Sequence, residues 1–163
     1  MHCYRHLLAV IAPTFIGIVF AAAVAADDSE PQPLPLNQVP PAVMKAVMAK
    51  FPGAKPQSAA QGVEDNRSFI DVHILVINQK IWVTCEPSGK ISVIDREISL
   101  KDLPAAVTAA LKKKYPQAKI RLVNEITDEG KPTYEIAVTF QKKPVIGVFA
   151  ANGEFLDELE DQE

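Results

Sequence analysis

Two stretches of the chain, VPPAVMKAVMAKFPGAK at Val39 to Lys55 and LPAAVTAALKKKYPQAK at Leu103 to Lys119, align without a gap. Pro40 and Pro104 lie 64 residues apart, and the same offset holds at each later match. The chain is thus expected to be built twice from one unit. In each copy the apolar residues recur every fourth position, Val43, Val47 and Phe51 in the first and Val107, Leu111 and Tyr115 in the second. That spacing puts one apolar stripe on a helix. Pro40 and Pro104 suit a helix start, where a missing N–H costs nothing. Pro52 and Pro116 stop each helix by pushing the preceding residue out of the α region. The lysines Lys112, Lys113 and Lys114 close the second helix, where they complement its dipole.

Beyond each helix the period changes to two. Ile70, Val72, Ile74 and Val76 share one face of a strand, and Tyr134, Ile136, Val138 and Phe140 repeat the pattern. The alternate positions, Asp71, His73 and Leu75 against Glu135, Ala137 and Thr139, form a mixed second face. Further strands are expected near Gln57 to Val63 and Arg121 to Ile126, at Ile81 to Cys85 and Val145 to Phe149, and after the turns Ser88-Gly89 and Asn152-Gly153. The fold class expected is α+β: two tandem repeats, each a helix packed on a four-stranded antiparallel sheet.

The remaining segments follow from composition. Residues 1–26 carry Arg5, an apolar run from Leu7 to Val24 and small residues before Asp27, the pattern of a secretory signal cleaved after Ala25 or Ala26. A membrane span is the competing reading, opposed by Pro13, the small-residue exit and the acidic flank. Membrane contact is then only transient, through the signal, and the product is periplasmic or secreted. Residues 27–38, with Pro31, Pro33 and Pro35, read as a Pro-rich extended spacer. The repeats occupy 39–95 and 103–159, residues 96–102 form a linker, and 160–163 an acidic tail.

Charge and cysteine content narrow the function. The formal net charge is −3 and no basic cluster exceeds three lysines, so nothing marks a nucleic-acid surface. Cys3 would leave with the signal, so Cys85 would stand alone, with no internal disulfide. His73 and Cys85 would then be the only mature histidine and cysteine, too few ligands for zinc. Asp27-Asp28 and Asp157-Glu158 lack the alternating carboxylates of a calcium loop. The sequence also has no phosphate loop, no nucleophile elbow and no pair of carboxylates with a reason to be buried together. No catalytic residue, metal or cofactor is expected, and the chain reads as a non-enzyme.

A turn at Asn78-Gln79 would pair Val76 with Ile81, Leu75 with Trp82, His73 with Thr84 and Val72 with Cys85. Cys85 and His73 would then project from opposite faces, which removes a Cys/His nucleophile pair. What remains is a mixed face holding Trp82, Leu75, His73 and Thr84, with Thr139, Ile146 and Val148 as its counterparts. An aromatic anchor with few central charges is the composition of a protein-binding face; Trp82 as ordinary core is the other reading.

The pieces Leu-Pro-Ala-Ala-Val at 103–107, Tyr-Pro-Gln-Ala-Lys at 115–119 and Tyr134-Glu135-Ile136-Ala137-Val138 resemble the PepSY-like family of small secreted bacterial domains, related in fold to β-lactamase inhibitor protein. The likeness runs from Val39 to Leu159 and is clearer in the second copy. It implies tandem domains forming a concave face, with a binding or inhibitory role outside the cytoplasm. Its motifs are short and structural, so they speak to fold more than activity. The inhibitor protein uses an acidic residue on a hairpin tip, whereas the tips here are Asn78-Gln79-Lys80 and Lys142-Lys143-Pro144. Inhibition of a β-lactamase is therefore not expected.

Two functions are carried forward. The first is an exported binding module for an unidentified protein or peptide, with inhibition of a peptidase as one form of that role. The alternative is a carrier of a small apolar ligand between the two sheets, lined by Phe69, Leu75, Trp82 and Ile146.

Overall fold

A computed structural model describes residues Ser29 to Asp161; the signal at 1–26 and the last two residues of the tail lie outside that range. Nine strands, β1 (Ser29–Leu34), β2 (Lys55–Glu64), β3 (Arg67–Val76), β4 (Gln79–Cys85), β5 (Ile91–Glu97), β6 (Lys119–Asp128), β7 (Lys131–Phe140), β8 (Lys143–Ala150) and β9 (Phe155–Glu160), follow one another in space as in sequence. They form one antiparallel sheet. Two ten-residue helices, α1 (Pro41–Lys50) and α2 (Ala105–Lys114), precede β2 and β6.

This corrects the expected architecture of two separate four-stranded sheets. The starts of α1 and α2, of β2 and β6, and of β3 and β7 keep the 64-residue offset, but β5 and β6 pair from Val93 with Asp128 to Glu97 with Asn124. Ile98 N–H donates to Val123 O, and Glu129 N–H to Ser92 O, at the two ends of that seam. Two small sheets would each leave a row of unpaired backbone groups at this point; joining them satisfies both. Arg96 and Glu97, expected in the linker, belong to β5, and only Ile98 to Pro104 cross to α2. At the chain ends the same correction applies. Ser29–Leu34, expected as a spacer, pairs with β2 as an edge strand, where proline costs no ladder bond on its open side. Glu160, expected in the tail, ends β9.

Both helices lie on one face. The pairings Ile81 to Arg96, Arg96 to Glu125, Glu125 to Tyr134 and Tyr134 to Phe149 trace a single row across β4 to β8. Val43 and Val47 of α1 pack with Val72, Ile74, Ile81 and Val83, while Val107 and Leu111 of α2 pack with Ile136, Val138 and Phe149. Every one of these side chains is buried. The hairpin glycines close the two halves in the same way. A Cβ at Gly89 would meet Ala42 O at 2.6 Å, and one at Gly153 would meet Ala106 O at 2.6 Å, so each turn passes directly under the first turn of its helix. Both glycines also have positive φ.

The β3–β4 hairpin turns at Ile77-Asn78, one position earlier than expected, with both residues left-handed. Such a two-residue turn matches the twist of the flanking strands. Val76 therefore pairs with Gln79, His73 with Trp82, Asp71 with Thr84 and Ile70 with Cys85. The register differs by two residues from the expected one, and a slip of two leaves each side chain on its face.

Candidate functional site

Among the described residues, no helix covers the opposite face of the sheet. Its central row runs from His73 on β3 through Trp82, Asp95 and Ile126 to Thr133 and Ala150 on β8. One flanking row holds Asp71, Thr84, Val93 and Asp128. The other holds Glu97, Asn124, Glu135, Val148 and Asp157. Strand alternation alone sends these residues away from the helices.

Trp82 is 39% exposed. Its indole stacks on the His73 imidazole with ring centroids 4.6 Å apart and planes within 6°. Because His73 lies on the β3 side, the other indole face is turned towards β5, where Asp95 stands directly opposite Trp82 in the register. Burial, and then the charge of Lys80, lower the His73 pKa. The imidazole is therefore neutral at neutral pH, and it meets the indole as a flat aromatic rather than a cation. Its Nε2 is buried without a hydrogen-bond partner. Beside this pair, Thr84 Oγ1 donates to Asp71 Oδ1 at 2.6 Å.

The second feature of this face is acidic. Burial, with a smaller contribution from the Asp95 charge, pushes the Glu135 carboxyl up to about 7. Its neighbours across β6 and β8, Asn124 and Val148, supply no positive charge, and Val148 is itself 3% exposed. Asp95 and Glu135 are both half-buried on this face, two strands apart and in adjacent rows. Among the described residues, no group of three or more acidic, histidine or cysteine side chains is arranged to hold a metal ion.

All seven residues singled out from the sequence stand on this face, but they form two groups. His73, Leu75, Trp82 and Thr84 lie on β3 and β4; Thr139, Ile146 and Val148 lie on β7 and β8. Four strand spacings separate Trp82 from Val148, roughly 19 Å. Thr84 and Val148 are buried, so they support the surface more than they present it. The expected cleft between two sheets does not form, because there is one sheet. Phe69, Leu75, Trp82 and Ile146 consequently line no common pocket. Among the described residues, two open depressions lie elsewhere, one beside Leu100, Leu103 and Thr108, the other beside Ile77, Lys80 and Ile98.

Cys85 lies on the helix face, fully buried in the first core. Burial, helped by the charge of Asp71, raises its thiol pKa to about 11. As expected from the sequence, it and His73 point to opposite faces.

No family model and no curated protein matches the chain, so the PepSY-like resemblance gains no support there. Solved structures do match in fold. A BLIP-like protein from Bacteroides fragilis is 19% identical with a TM-score of 0.60, over 75% of this chain and 86% of that one. A DUF2874 family protein from Bacteroides uniformis is 14% identical with a TM-score of 0.60, over 73% and 87%. A third, from Bacteroides eggerthii and named provisionally as periplasmic, is 18% identical with a TM-score of 0.61, over 74% and 87%. The chain has a fold similar to these proteins, BLIP-like in its sheet and helix arrangement.

Proposed function

We propose that the protein is an exported, non-enzymatic binding module that docks a protein or peptide on the helix-free face of its sheet, with Trp82 as anchor. The observation that carries this reading is the Trp82–His73 stack: a large aromatic pair, the indole 39% exposed, on the face that no helix among the described residues covers. Aromatic side chains held rigid by their neighbours contribute most of the affinity at interfaces, because little entropy is lost when they are covered. A periplasmic setting is supported by the signal-like first 26 residues and by the provisional naming of the Bacteroides eggerthii neighbour. The BLIP-like neighbour lends its name only to the idea of a protein partner.

Selection of a phage-displayed peptide library on the immobilised protein tests the proposal. Recovered clones are expected to bind wild type and Lys113→Ala, which changes the helix side, and to lose binding to Trp82→Ala. Clones that bind all three equally would move the docking site off this face.

A further inference from the structure

We infer that the segment docked on this face is cationic, with a lysine or arginine side chain seated between the free face of Trp82 and the Asp95 carboxylate. The inference rests on the reading that this face docks a partner, and it adds the chemistry of that partner.

Three observations converge on it. First, the stack fixes the direction of the indole. With one face covered by His73 on β3, the remaining face looks along the sheet to β5 and its Asp95. A positive group placed there meets the negative face of the ring and a carboxylate at once, and tryptophan is the best ring for this purpose. Second, His73 is held neutral, so the protein does not fill the cation's place with its own imidazolium. Third, the surrounding face is charged to match. Asp95 stands opposite Trp82 and Asp71 and Glu97 lie diagonally across from it, while farther along the face Asp128 is matched by Lys131 and Glu135 stands on β7. Lys80, two residues from Trp82 on β4 and level with Glu97, is the base of this neighbourhood and also acts on His73. A partner segment running from Trp82 towards β7 thus passes from the aromatic stack over Asp95 towards Glu135.

The same geometry couples docking to a proton. The groups facing Glu135 are Asn124, Leu122 and Ile126 from β6, Val148 and Ile146 from β8, Asp157 beyond them on β9, and Asp95 from β5. None of these is basic, and Lys80 on β4 and Lys131 opposite Asp128 stand farther off, so a cationic segment that reaches β7 adds the nearest positive charge. It favours the ionised carboxylate, and near neutral pH Glu135 releases its proton as the cation arrives. Binding therefore weakens on acidification, both because Glu135 holds its proton and because His73 gains one.

Trp82 is the only tryptophan in the chain, so its emission reports the site directly. The probes are hexalysine, its fully N-acetylated counterpart and hexaglutamate, titrated into wild-type protein. Hexalysine is expected to change the Trp82 emission saturably, weakening with salt, while the other two leave it unchanged. Asp95→Asn is expected to weaken hexalysine by about tenfold or more, and Glu86→Gln, an equal loss of charge at an exposed hairpin tip, by less than about twofold. Calorimetry at pH 7 in buffers of different ionisation enthalpy is expected to register proton release, absent in Glu135→Gln. Equal responses to hexalysine and its acetylated form in wild type would overturn the inference even if the variants fail to fold. Peptides from the library selection that need Trp82 yet carry no lysine or arginine would also overturn it while leaving the docking face in place; clones that ignore Trp82 would instead refute the docking face itself.

Discussion

Replacing Glu135 with glutamine should stabilise the protein at alkaline pH and do almost nothing at pH 4.5. The carboxyl is raised from 4.5 to about 7 in the folded state, a difference of about 2.5 units. At 1.36 kcal/mol per unit, the ionised form costs the fold on the order of 3 kcal/mol. The sign follows from proton counting. Between pH 4.5 and 7 the folded protein holds a proton that the unfolded chain has lost, so stability falls as pH rises through that window. Glutamine keeps the shape of the protonated acid and has no charge to lose, so Glu135→Gln escapes the fall. The gap between variant and wild type is expected to open above pH 4.5, reach about half its size near pH 6 and level off above pH 7. Water at the open side of the face trims the plateau to about 2–3 kcal/mol, or roughly 10 °C in Tm for a chain of this size. Thermal melts followed by circular dichroism at pH 4.5, 6, 7 and 8.5 give the whole curve. A gap that is constant across these pH values, or a wild type more stable than the variant at pH 8.5, would refute the assignment of Glu135 as a buried, unpaired-by-cation carboxyl.

Other consequences concern the frame around the face. Gly153→Ala and Gly89→Ala should each cost about 2–3 kcal/mol in urea melts, by equal amounts within error, since each adds a methyl 2.6 Å from a helix carbonyl at positive φ. Arg96 Nη2 holds Glu125 at 2.7 Å across the β5–β6 seam, and Glu125 is the more buried of the two. Arg96→Ala should cost about 1–2 kcal/mol and speed hydrogen exchange at the Ile98 and Glu129 amides, leaving the β2–β3 amides unchanged. Cys85, buried with its thiol pushed up to about 11, should resist thiol reagents at pH 8 in the native protein and react at the rate of unfolding.

The two helices and eight of the nine strands were legible because each carries its own period. Val43, Val47 and Phe51, or Ile70, Val72 and Ile74, need no knowledge of the rest of the chain to declare a face. What the sequence concealed is what only pairing creates. Arg96-Glu97 looks like a solvated connection, yet Arg96 is matched by Glu125, 29 residues later, and that match joins the halves. The same seam brings Asp95 into the electrostatic reach of Glu135, so the carboxylate pair could not be read before the seam was known. Glu135 already stood on the mixed face of its strand; alternation supplied the face and not the neighbour. Ser29–Leu34 was hidden by its prolines, which exclude a central strand and leave an edge one open. The turn at Ile77-Asn78 was misplaced by one residue because Ile77, almost wholly exposed and left-handed, is a poor advertisement for a turn.

The acid that destabilises the fold and the aromatic pair that stays open occupy the same face, and this coincidence is itself an argument. A sheet selected only for stability would cover Trp82 and replace Glu135 by its amide, each change gaining free energy at no cost to either core. The helix face shows how thoroughly this chain can pack when packing is the only demand: Val72, Ile74, Val83, Ile136, Val138 and Phe149 are fully buried. Across the sheet from them, a few ångströms of backbone away, the chain carries an unshielded carboxylate and a half-open indole. Both are answered by one occupant, a cationic segment laid from Trp82 over Asp95 to β7, which covers the ring and brings positive charge to the acid. A face whose two costs share one remedy is built for an occupant, and the hexalysine titration and the Glu135→Gln melt examine the two halves of that statement separately.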